Sequence, residues 1–263
     1  MLRDITIGQY YPADSIIHRL DPRVKFIGTL VFIVSLFCFR SFWGFIPSFV
    51  MLVFFIAASR IPARYIFKGL RPMMFLLIFM MVVNLLMTGG EVLWSWWVLK
   101  ITREGVRTAV FMGMRLVMLV IGSSLMTYTT TPTALTSGME SVFKPLKVFK
   151  VPVHDLAMMM SIALRFIPIL LEETDRIMKA QQARGADFES GNIIRRAKAM
   201  LPILVPLFVS AFRRASDLAQ AMEARCYHGG KGRTRLHPLK YKARDIAAYC
   251  VLFGYLSVCI LVP

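Results

Sequence analysis

Four stretches of this chain carry no charged residue and are long enough, or nearly so, to leave water altogether. They are residues 42–59, 72–90, 116–130 and 246–263. A membrane-spanning helix needs about 20 mostly apolar residues. A fifth run, 26–39 (FIGTLVFIVSLFCF), is short, but Lys25 beside it can snorkel and lengthen it. The run at 116–130 extends back to 105 once Arg115 is accepted inside it. The expected architecture is therefore all-α and polytopic, with about five spans. Composition agrees: 57% of the 263 residues are hydrophobic and 18% charged. Soluble domains run about 45–50% apolar and 25% charged, so the soluble-enzyme classes are disfavoured.

The gap before the last span is different. Residues 140–244 hold 19 Lys+Arg and nine Asp+Glu. That is too charged for lipid, yet 156–164 (LAMMMSIAL) and 199–212 (AMLPILVPLFVSAF) are too apolar for a free soluble domain. Three parts are expected: spans one to four in 1–130, long cytoplasmic helices in 131–245, and span five in 246–263. With the N-terminus inside, the cytoplasmic segments collect 27 Lys+Arg, including Arg3, Arg19, Arg23, Lys25, Arg60, Arg64, Lys68 and Arg71. Only Arg40, Lys100, Arg103 and Arg107 remain outside. That bias sets the orientation. Trp94, Trp96 and Trp97 then fall in an external loop, where an aromatic belt belongs. The net charge of +17 needs no nucleic acid: topology and an anionic inner leaflet account for it, and no nucleic-acid-binding motif is present.

Motifs for energising transport are missing. The string Gly229-Gly230-Lys231-Gly232 lacks the spacing of a phosphate-binding loop, and GxGxxG and HExxH do not occur. His18, His154, His228 and His237 lack ligand spacing, so neither a metal nor another cofactor is expected. Of the four cysteines, Cys38, Cys250 and Cys259 sit in apolar runs; with Cys226 they form no CxxC pair or disulfide framework. Residues 1–23 are polar and hold Asp4, Asp14 and Asp21, unlike a cleavable leader. The energy source must sit on another chain.

Residues 153–183 read as one helix of roughly 45 Å, stopped by Gly185 and kinked at Pro168. A second runs from about Gly191 to Arg225, with Pro202 and Pro206 in its first half. The two finish alike, in Ala183-Arg184-Gly185 and Ala224-Arg225-Cys226, and each carries a Pro-Ile-Leu string earlier. A cation at a helix C-terminus can simply complement the helix dipole. Two arginines after alanine, each closing a long helix, also suit a two-pronged plug for acidic grooves, because guanidinium pairs bidentately with carboxylates. Met158, Met159 and Met160, and the ridge Ala211, Ala215, Ala219, fit either an adaptable partner surface or ordinary core.

Several strings together resemble the transmembrane T component of energy-coupling factor (ECF) transporters, the bacterial importers of vitamins and metals. They are His18-Arg19-Leu20-Asp21-Pro22-Arg23-Val24-Lys25, Ile101-Thr102-Arg103-Glu104-Gly105, Thr130-Thr131-Pro132, Leu164-Arg165-Phe166-Ile167-Pro168, Gln182-Ala183-Arg184-Gly185, and Ala224-Arg225 with Tyr227. Cys226 stands where the family usually has glycine, so the backbone there is expected to differ. The resemblance implies a non-catalytic subunit in the bacterial cell membrane. The motifs centred on Arg184 and Arg225 would dock two ABC-type ATPases. A separate S component carrying the vitamin would pack on the coupling helices, with Met158, Met159, Ala211, Ala215 and Ala219 as candidates. The methionine-rich helices favour a shared, vitamin-type module over a dedicated cobalt or nickel importer. A membrane enzyme acting on lipid is the alternative of another class; His154 with Asp155, or Glu172 with Glu173, would be its polar groups.

Overall fold

The computed structural model describes residues 10–39, 41–96, 99–188, 192–229 and 238–261. Arg3, Arg40, Gly191, Trp97, the Gly230-Lys231-Gly232 string, His237 and Pro263 lie outside them. Among the described residues the chain is helical apart from one hairpin. In order come α1 (Pro22–Cys38), α2 (Phe45–Ser59), α3 (Ala63–Leu70), α4 (Met74–Met87), β1 (Val92–Trp96), β2 (Leu99–Thr102), α5 (Arg103–Thr129), α6 (Pro132–Val142), α7 (Val153–Ala183), α8 (Ile193–Ala224) and α9 (Ala243–Leu261). Contacts divide these into two compact units, one of Gly8–Val142 with Pro238–Pro263, the other centred on Phe143–His237.

Among the described residues, six helices are long and apolar enough to cross a membrane: Phe42–Ser59, Ala63–Met87, Arg103–Thr129, Val153–Ala183, Lys198–Ala224 and Ala243–Leu261. Four coincide with expected spans. The short run 26–39 lies in α1, whose 17 residues make it shorter than the six. The two additional helices are the long pair assigned to the charged segment. Charge summed over 140–244 hides the uncharged runs 156–164 and 199–212 within them.

In the first unit α5 is central. It packs against α1, α2, α3 and α4, while α9 packs against α1 and α2. Phe32, Leu36, Phe45, Met51, Met118 and Leu252 form the apolar heart. Within it Tyr255 Oη lies 2.5 Å from Ser35 Oγ and 2.8 Å from Ser48 Oγ, joining α9 to α1 and α2. Gly105 lets α4 and α5 close: a Cβ there would come within 2.8 Å of the Leu85 carbonyl oxygen.

The strings picked out from the sequence fasten helix ends. Asp21 caps α1, accepting from the Arg23 amide at 2.9 Å, and Pro22 supplies the fixed φ favoured at a first helical position. The His18 ring bridges Ser15 Oγ (2.7 Å) and the Tyr11 carbonyl (3.0 Å). A carbonyl only accepts, so Nε2 carries the proton and Ser15 donates to Nδ1. Arg19 pairs with Asp14 at the surface. Lys25 Nζ donates to the carbonyls of His18 (3.1 Å) and Thr129 (2.8 Å), the latter ending α5. Arg23 reaches the Leu239 carbonyl at 3.1 Å. Thr102 caps α5 through the Gly105 amide at 3.0 Å and donates to the Thr88 carbonyl at 2.7 Å; Glu104 accepts from the Glu91 amide at 2.9 Å. Arg115 is a polar contact inside the bundle. It donates to the Phe39 carbonyl at the end of α1 (2.7 Å) and lies over the Phe111 ring at 4.8 Å.

Asp245 ties two segments of the first unit together. It is 3% exposed, and its carboxylate accepts from the Asp21 amide (2.9 Å) ahead of α1 and from the Lys242 amide (2.8 Å) ahead of α9. Leaving a buried amide unpaired costs about 1–3 kcal/mol. Asp245→Ala should therefore destabilise the detergent-solubilised protein by about 2–4 kcal/mol. Asp245→Asn, which keeps one acceptor oxygen, should lose about half as much. Thermal unfolding followed by circular dichroism checks the ranking, and equal losses would refute the two-acceptor account.

Candidate docking site at the ends of two long helices

α7 has 31 residues and α8 has 32, and each runs through its internal prolines, Pro168 in one and Pro202 and Pro206 in the other. Their C-termini are built alike. Arg184 (φ −88°, ψ 7°) and Arg225 (φ −93°, ψ 16°) close the helices. The next residue turns left-handed in both, Gly185 at φ +88° and Cys226 at φ +54°. Gly185 N–H donates to the Gln182 carbonyl (2.9 Å) and Ala186 N–H to Gln181 (3.0 Å). Cys226 N–H donates to Glu223 (2.8 Å) and Tyr227 N–H to Met222 (3.0 Å). This pair of bonds, one from the left-handed residue and one from its successor, is the Schellman ending. It satisfies carbonyls at the helix end with backbone alone, so neither arginine is needed as a cap.

Cys226 thus repeats the turn that Gly185 makes. Among the described residues, nothing lies within 4 Å of the position a Cβ would take at Gly185. Glycine is favoured there by φ and not by lack of room, so a residue with a Cβ can follow the same path at a conformational cost of about 1–2 kcal/mol.

Ala183, Arg184, Gly185, Ala224, Arg225 and Cys226 are all exposed. Behind the tips, Arg214 Nη2 meets Glu173 Oε2 at 3.4 Å, pairing α8 with α7. Glu173 precedes Arg184 by eleven residues and Arg214 precedes Arg225 by eleven. The contact therefore stands about 16 Å from each tip.

The proposed packing residues are divided by the structure. Met158 and Ala211 are half-buried, whereas Met159, Ala215 and Ala219 are exposed. Sequence reasoning missed a broader surface on α8. Leu201, Val205, Phe208 and Phe212 are each more than half exposed, and the Phe208 and Phe212 rings lie 4.7 Å apart. Their spacing of four, three and four was the available signal. That spacing lies inside the uncharged run 199–212 and marks one face of it.

A family profile described as cobalt transport protein, CbiQ, matches residues 13–236. Relatives named energy-coupling factor transporter transmembrane protein EcfT align over nearly the whole length. The one from Clostridium kluyveri is 56% identical over 96% of this chain and 94% of its own. Those from Acidaminococcus fermentans and Ruminiclostridium cellulolyticum are 54% and 52% identical, over 97% and 94% of this chain and 95% and 92% of theirs. The chain belongs to this family. It is a multi-pass membrane protein and a transport component, in keeping with its apolar helices.

As a member of the EcfT/CbiQ family the chain can be probed at its two endings. Gly185→Val places a β-branched residue at φ +88° and should loosen the last turn of α7 by about 1–2 kcal/mol. Amide exchange at Gly185 and Ala186 should quicken roughly tenfold. Cys226→Gly should leave the ending of α8 as protected as before, or more so. Faster exchange in Cys226→Gly would show that the thiol side chain, not the turn, secures that end.

Proposed function

We propose that this chain is the coupling subunit of an ECF-type importer in the bacterial cell membrane, with its N-terminus in the cytoplasm. It transmits the ATP-driven motion of two ABC-type ATPase subunits to a separate S component that carries a vitamin or other micronutrient. The observation that carries this reading is the twin endings of α7 and α8. Each presents an exposed arginine, Arg184 or Arg225, on a turn whose carbonyls are already satisfied. A free guanidinium at a rigid tip is suited to enter an acidic groove and form a charge-assisted, two-pronged contact. Two such tips suit two motor subunits, and the names carried by the relatives supply the kind of complex.

The Glu173–Arg214 pair supports the mechanical part. A push on one tip acts over about 16 Å of helix before reaching a residue bonded to the other helix, so displacement of either ATPase is felt by both arms. The exposed apolar surface of α8, with Met159 on α7, is then the face an S component would cover. The family profile's description as a cobalt transport protein favours a second version, in which this chain serves one metal importer. The identity of the co-purified S component separates the two.

Arg184→Glu and Arg225→Glu should each weaken ATPase retention. Breaking one partner of a buried charge pair costs roughly 2–5 kcal/mol, about 30-fold or more. The double variant should purify without ATPases and lose ATP-driven uptake. Full ATPase content with normal uptake would refute the docking assignment. At the pair behind the tips, Arg214→Glu should lower uptake several-fold while ATPases stay bound. The swap Glu173→Arg with Arg214→Glu should recover most of that loss; no recovery would mean the pair transmits nothing.

A further inference from the structure

α3 is the first part of the helix Ala63–Met87, one of those able to cross the membrane. It carries Arg64 and Lys68, with Arg71 following in a 3₁₀ turn, Arg71–Met73, that leads into α4. Spacings of four and three put the three cations on one side of the helix, and all are exposed. The opposite side is fixed. Ile66 is 8% exposed, Tyr128 Oη donates to the Tyr65 carbonyl at 3.1 Å, and a Cβ on Gly69 would strike Tyr128 Oη at 2.6 Å. The helix cannot rotate, so the cations are held facing outward.

None of the three makes a side-chain hydrogen bond or ion pair among the described residues. Asp14 in the same unit is engaged by Arg19, whose hydrogen bond holds its carboxyl below the usual range, with Arg60 adding a smaller pull in the same direction. Further along the same helix, Met74 (49%), Phe75 (79%), Ile78 (55%) and Phe79 (54%) are exposed. Unpaired cations therefore sit at the membrane end of an outward-facing apolar stretch.

We propose that Arg64, Lys68 and Arg71 bind the phosphodiester headgroup of anionic phospholipid, whose acyl chains lie along the start of α4. A row of cations about 10 Å long on one helix does not converge on a point, as a site for free phosphate would. An acidic protein would match the charges and leave the adjoining aromatic side chains uncovered. A lipid matches both. Each cation near an anionic bilayer surface adds about fivefold to binding.

The test uses the full chain in detergent, titrated separately with phosphatidylglycerol and phosphatidylcholine, with bound lipid counted by native mass spectrometry. The wild type should prefer phosphatidylglycerol, and raising salt from roughly 0.1 to 0.5 M should reduce the preference. Arg64→Gln, Lys68→Gln and Arg71→Gln combined should lower it by roughly a hundredfold. Lys144→Gln, Lys147→Gln and Lys179→Gln combined, equal in charge removed and also exposed, should change it less than about threefold. If the first triple variant fails to fold, Arg64→Gln and Lys68→Gln alone should each show a loss of about fivefold. An unchanged preference, an equal loss in the control triple, or displacement of the lipid by millimolar inorganic phosphate would overturn the proposal.

Discussion

A helix end leaves backbone groups that must be satisfied, and in a membrane few partners are available. In the first unit side chains do much of this work, although α2 ends on backbone alone at the left-handed Arg60 (φ +56°). Lys25 covers the Thr129 carbonyl, Arg115 the Phe39 carbonyl, and Thr102 and Asp245 serve two segments each. Those polar and charged groups are consumed by structure and are unavailable for chemistry. At α7 and α8 the left-handed residues Gly185 and Cys226 close the ends with backbone alone. Arg184 and Arg225 are therefore not needed to complete their own helix ends, which is what the proposed docking role asks of them.

Much of the fold was legible because a spanning helix has a plain signature. The runs 42–59, 72–90, 105–130 and 246–263 correspond to helices able to cross the membrane, and α7 runs over 153–183 as its periodicity required. The number of apolar helices was less legible. Summing charge over 140–244 made α7 and α8 look unfit for lipid, although 18-residue windows inside each qualify. Short elements were missed for another reason. α3 and the β1–β2 hairpin are stabilised by contacts with other parts of the chain, Tyr128 against Tyr65 and Arg103 N–H on the Glu91 carbonyl, which no local pattern contains.

For the candidate site, the repeated Ala-Arg endings were visible as letters, but their equivalence was not. With cysteine in place of glycine the second ending looked like a departure, since φ > 0 is costly for a residue with a Cβ. Position fixed the conformation nonetheless: two hydrogen bonds converge on each ending and together outweigh a strain of that size. The Glu173–Arg214 contact was also hidden. Its two residues lie 41 apart in sequence, and each alone reads as an ordinary charge on a helix surface.

The exposed side chains of α8 then have a physical consequence. Leu201, Val205, Phe208 and Phe212 stay uncovered in the chain by itself, and burying each such side chain is worth roughly 1.5–3 kcal/mol. A partner or the bilayer surface must cover them, and the gain depends on area more than on exact fit. Contacts of that kind can be made and remade with different occupants, whereas the arginine tips require one geometry. In the proposed docking role the two ends of α8 would differ in how strictly they choose: the apolar half would take what is apolar and well shaped, and the tip what is acidic and correctly placed. In the proposed coupling role, a permissive surface and a strict tip on one helix would suit interchangeable cargo carriers and a fixed motor.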